Sequence, residues 1–134
     1  MVEITYTNPA ALGAPLGQYS QITRVKGASE YLYIAGQVGM TKSGEVGESF
    51  AEQCAIAFAN TLEALKACGA SWENVVQFTT YLVHSQDVPR FMQYRLANFP
   101  TFWPADHYPP NTLLMIDRLV QEPLLVEVQT VAAI

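Results

Sequence analysis

Pro109-Pro110-Asn111-Thr112-Leu113-Leu114-Met115-Ile116-Asp117-Arg118-Leu119, followed by Leu125-Val126-Glu127-Val128-Gln129, is the stretch that decides the fold. Two prolines hold the entry extended, and two strands are predicted after them, over 111–120 and 124–134, joined near Gln121-Glu122-Pro123. Along an extended chain Leu113 and Met115 point one way while Leu114 and Ile116 point the other. The first strand is therefore apolar on both faces. The second carries a single carboxylate, Glu127, between Val126 and Val128.

Upstream, residues 1–18 are rich in Pro, Gly, Ala and Asn and read as an irregular arm. Ile22–Lys26 and Tyr31–Val38 are short β-prone runs separated by Gly27-Ala28-Ser29, which predicts a hairpin. Met40–Gly47 is a turn-rich loop. Ser49-Phe50-Ala51-Glu52 has the capping-box pattern, and Phe50, Cys54, Ala57, Phe58, Thr61, Leu62 and Leu65 then recur at helical spacing up to a stop at Gly69. Asn74–His84 alternates as a strand, with Val76, Phe78, Thr80 and Leu82 on one face. Asp87-Val88-Pro89 opens a second helix, with Asp87 as the cap, a stripe of Val88, Phe91, Met92, Leu96 and Phe99, and an end at Pro100. An aromatic, proline-rich linker, 103–110, leads back to the final strands.

The order is β-β-α-β-α-β-β in one domain, 1–134, of the α/β (α+β) class: a single sheet with two helices on one face. Two helices cover one face only. The strands at 31–38 and 111–120 are apolar or aromatic on both, so the second face calls for another protein surface, and a closed homo-oligomer is the usual solution.

Composition bounds the partners. Half of the 134 residues are hydrophobic and 14% charged, and 12 acidic against 7 basic residues give a net charge of −5. That balance argues against a nucleic-acid backbone or an anionic membrane. No apolar run reaches the ~20 residues of a membrane span, and no signal-peptide core is visible near the start. Cys54 and Cys68 fall fourteen positions apart in one predicted helix, about 20 Å at 1.5 Å per residue, which is beyond disulfide reach. Free thiols point to a reducing cytoplasm. His84 and His107 lack metal-ligand spacing, so no metal or other cofactor is expected.

Four segments, in order and at matching spacing, carry a resemblance. Gly17-Gln18-Tyr19-Ser20-Gln21, Ala35-Gly36-Gln37, Val75-Val76-Gln77-Phe78-Thr79-Thr80-Tyr81-Leu82 and the C-terminal stretch with Arg118-Leu119 and Glu127 are together similar to the RidA (YjgF/YER057c/UK114) family, whose best-known members hydrolyse reactive enamines and imines. The resemblance implies a chorismate-mutase-like fold, a homotrimer and small-molecule clefts between subunits. It also implies roles for Glu127, which would hold the hydrolytic water, for Tyr19, which would close over the ligand, and for Gly36, whose backbone would line the cleft. Gln93 stands where many relatives have an asparagine on the second helix.

Asn111 departs from the pattern, which has a carboxylate-binding arginine there. A neutral hydrogen bond contributes about 0.5–1.5 kcal/mol, whereas truncating a buried charge pair costs roughly 2–5 kcal/mol, so 2-imino acids should bind ten-fold to a thousand-fold less tightly through this position. The expected site is Tyr19, Gly36, Gln93, Asn111 and Glu127. Four of these have a plainer reading: Glu127 as an interface hydrogen-bonding group, Tyr19 as a half-buried arm residue, Gly36 as a point of close backbone approach and Asn111 as a cap or turn residue. Function divides between an enamine or imine hydrolase of altered specificity and a non-catalytic metabolite-binding trimer.

Overall fold

Ser49 opens the first helix as its residue type predicts. In the computed structural model, which describes residues 1–134, α1 (Phe50–Ala67) begins where the Ser49 hydroxyl accepts from the Glu52 amide at 3.1 Å. The Glu52 carboxylate reaches back one residue further than a capping box requires, to the Glu48 amide at 2.9 Å. Beyond Cys68, Gly69 takes φ +73°, a left-handed conformation that glycine adopts without strain.

Strands β1 (Glu3–Thr7), β2 (Ile22–Lys26), β3 (Tyr31–Val38), β4 (Val75–Leu82), β5 (Asn111–Met115) and β6 (Val126–Ala133) surround α1 and α2 (Asp87–Phe102) in chain order. The arm is not irregular throughout. Its Glu3–Thr7 pairs antiparallel with β2, so the expected hairpin between β2 and β3 does not form. The hydrogen-bonded strands accordingly fall into two sheets rather than the single one expected, β1-β2 and β3-β6-β4-β5. A Thr23 Oγ1 donation to the Val76 carbonyl at 2.6 Å links β2 to β4. Glu3-Ile4-Thr5-Tyr6 alternates polar and apolar, a strand signal outweighed by the Pro and Gly that follow it.

The final segment delivers the central strand. β6 lies between β3 and β4, antiparallel to both, while β5 runs parallel to β4 at an edge. β5 ends at Met115, five residues short of the expected strand, because Arg118 then turns the chain by binding Glu122 and the Leu119 carbonyl.

Phe58, Phe78, Phe91, Phe99, Trp103, Leu82, Val126 and Val128 are buried together between the helices and one face of the larger sheet. Pro100 does not end α2. The helix runs through it to Phe102, since Phe102 stacks on Trp72 at 4.6 Å and Trp103 donates its indole N–H to the Trp72 carbonyl at 2.7 Å. Asp87 is the first helical residue and not the cap. Its carboxylate binds Arg90 at 2.6 Å, with its negative charge at the helix N-terminus. Cys54 is buried in α1 and Cys68 exposed at its end, both as free thiols. No helix is long and apolar enough to cross a membrane.

Candidate functional site

In β6, Val126, Val128 and Thr130 are buried toward the helices, so Glu127 and Gln129 point to the opposite, outer face. Glu127 is half-buried there, and none of the chain's three ion pairs uses it. Tyr81 is its register neighbour on β4 and donates to Gln129 at 3.1 Å.

Gly36 faces this carboxylate. The β3–β6 pairing shifts register between Ile34 and Gln37, and the irregularity brings the Gly36 Cα against Glu127. A Cβ at Gly36 would overlap Oε1, Cδ and Cγ of the glutamate, so the missing side chain is what admits it.

Asn111 opens β5 on the other side of the sheet. Its Cα partner is Phe78, and its Oδ1 accepts from the Thr80 hydroxyl at 3.0 Å. Both neighbours are buried on the helix side. The Nδ2 of Asn111 is buried with no acceptor. Within one chain, therefore, Glu127 with Gly36 and Asn111 with Thr80 occupy opposite faces.

Tyr19 covers Arg95 on the inward stripe of α2. Its hydroxyl accepts from the Leu16 amide at 3.2 Å, and its ring lies 5.5 Å from the Arg95 guanidinium carbon. Gln93 is exposed on α2 and does not join them. At 100° per residue it is turned roughly 200° from both Phe91 and Arg95, which face inward with Phe99.

The family model described as Endoribonuclease L-PSP matches residues 9–134. The chain belongs to this family, the RidA (YjgF) family. Human 2-iminobutanoate/2-iminopropanoate deaminase is 37% identical over 91 residues, which make up 63% of this chain and 64% of that protein, so the match spans less than two thirds of the relative. Among solved structures, the conserved Rid-family protein YyfB of Yersinia pestis, of unknown function, has a TM-score of 0.85 at 26% identity over 98% of both chains. RidA from an Antarctic Psychrobacter has a TM-score of 0.70 at 26% identity, over 90% of this chain and 92% of that one.

Against the RidA pattern, the residue that sequence reasoning left unplaced is Arg95. It had no motif to mark it, and only the sum of α2 periodicity with the position of the arm could have brought it to Tyr19. Burial pulls its guanidinium down from the usual arginine value to about 10, with the Tyr19 hydroxyl acting in the opposite direction. His107, by contrast, lies away from these residues. Its ring meets Tyr6 at 5.1 Å, in a cavity of about 560 Å³ that Glu73 and Trp103 also line.

Proposed function

We propose that the protein is a cytoplasmic RidA-like homotrimer whose clefts, formed between adjacent copies, hydrolyse a small enamine or imine. The half-buried Glu127 carboxylate, uncommitted to any ion pair and fronted by the bare Cα of Gly36, carries this reading. A carboxylate so placed accepts a proton from water as the oxygen adds to the C=N carbon. The nitrogen takes a proton, and the tetrahedral adduct collapses to a carbonyl compound and ammonia. Atoms balance with water as the only co-reactant.

Because Glu127 and Asn111 face opposite sides of one sheet, a cleft containing both must draw them from two chains. The exposed outer-face side chains Tyr31, Tyr33 and Leu114 support such an assembly. The name of the human relative supplies the substrate class, short 2-imino acids. An RNA-cleaving role draws less support, given the net charge of −5.

A metabolite-binding trimer without turnover is the second reading. What favours it is the Thr80–Asn111 hydrogen bond, which ties a neutral amide in place where the family pattern has its arginine. Purified protein supplied with enzymatically generated 2-iminobutanoate decides between them. Faster release of the keto acid, lost in Glu127→Gln, is the expected result; a rate equal to buffer would leave only the binding role.

A further inference from the structure

Arg95 is a buried charge with no countercharge. The residue is 3% exposed, and the ion pairs of the chain are Lys66–Glu63, Arg90–Asp87 and Arg118–Glu122. Of its five N–H donors, one Nη2 hydrogen goes to the Gln18 carbonyl at 2.7 Å and Nη1 makes a long contact to the Met92 sulfur at 3.9 Å. Nε has no acceptor. The rings of Tyr19, Phe91 and Phe99 lie 5.5, 5.7 and 5.5 Å from its Cζ, which compensates the cation in part without supplying a negative charge. Desolvating an ion this far without a partner is costly, and strongly perturbed groups of this kind cluster at functional sites.

The other buried side-chain donor lacking an acceptor is Asn111 Nδ2. The two residues flank one aromatic pair. Arg95 lies against Phe99, the Phe99 ring is 5.6 Å from that of Phe78, and Phe78 is the register partner of Asn111. One charged and one neutral orphan donor thus share the helix side of the sheet, with Tyr19 covering the charged one.

We propose that Arg95 is an anion-binding residue, receiving the carboxylate of a 2-imino or 2-enamino acid, while Asn111 stays on the far side of the Phe78–Phe99 pair. A carboxylate oxygen on Nε provides the missing acceptor and the missing countercharge together. Access is through the arm, where Tyr19 must swing off the guanidinium. The arm is tied to α2 here by the Gln18 hydrogen bond, which the arriving anion competes for. The imine-hydrolysing reading contributes only the choice of acid.

The test is equilibrium binding of 2-oxobutanoate, a stable keto acid, and of its neutral amide, 2-oxobutanamide, by titration calorimetry on the full chain. The acid should bind roughly 30-fold more tightly than the amide, as expected for a desolvated charge pair. Arg95→Gln should abolish that preference, Arg95→Lys should keep part of it, and Arg95→Gln should raise KM for 2-iminobutanoate far more than it lowers kcat. Equal affinity for acid and amide in the unaltered protein overturns the proposal without any variant, as does binding of neither. So does a folded Arg95→Gln that still prefers the acid. Absent turnover with an Arg95-dependent preference for the acid would sink the hydrolase reading alone. Turnover with charge-blind binding would sink this inference alone.

Discussion

The Cα of Gly36 faces the Glu127 carboxylate so closely that a methyl group on Gly36 would overlap it. The glycine backbone is not in the left-handed region, so an alanine there meets crowding and not backbone strain. Gly36→Ala should push the carboxylate aside. If Glu127 positions the water, imine hydrolysis should fall by about 10²-fold, the effect of a displacement of order 1 Å. The melting temperature should change little, because the crowded atoms end a flexible side chain. Matched loss of activity in Gly36→Ala and Glu127→Gln, with both variants folded, checks this; an active Gly36→Ala would remove Glu127 from the chemistry.

Tyr33 is 79% exposed on the outer face of β3. A charge placed there would be buried if a second copy covers that face. Tyr33→Asp should therefore convert the proposed trimer to monomer in sedimentation velocity at micromolar concentration, and should remove the proposed turnover along with it. A parent protein that sediments as a single chain would refute the shared clefts outright.

Gln53 is 2% exposed and joins three backbone groups of two loops. Its Nε2 donates to the carbonyls of Gly47 at 3.1 Å and Pro123 at 2.9 Å, and its Oε1 accepts from the Leu125 amide at 2.8 Å. Gln53→Met keeps the volume and orphans all three. Urea unfolding should show a loss of about 3 kcal/mol and a melting temperature lower by roughly 10 °C. Since the Leu125 amide immediately precedes β6, the loosened strand should also misplace Glu127.

Burial raises the Cys54 thiol pKa well above its ordinary value, with the Asp87 carboxylate adding to the effect, whereas Cys68 is exposed. A thiol-reactive chromophore at pH 8 should label one cysteine in the native protein and two in denaturant. Because the folded-state value is the higher one, the stabilisation is complete below the unfolded thiol's pKa of about 8.5 and is lost as pH rises above it. Tyr94 is shifted in the same direction, chiefly by burial, so both groups weaken the fold in alkali. Cys54→Ala should flatten the part of that decline due to the thiol.

Much of the architecture could be read locally. The Ser49 cap, the Phe50–Leu65 stripe, the alternation of β4 and the placing of Glu127 opposite Val126 and Val128 all follow from side-chain period, which adjacent residues set by themselves. The β1–β2 pairing and the continuation of α2 through Pro100 were not legible. The first depends on which distant strand offers a free edge, and the second on Trp72 stacking against Phe102, thirty positions away in the chain.

The same division holds for the candidate site. Sequence alone determined the chemistry available: a lone carboxylate in an apolar strand, a glycine within another strand, and an asparagine in place of an arginine. Only the tertiary structure decided that Glu127 and Asn111 lie on opposite faces, that Gln93 turns to solvent, and that Arg95 is buried against Tyr19 without a counterion. Facing direction is a local property, but company is not: which charge goes unpaired depends on every element packed around it.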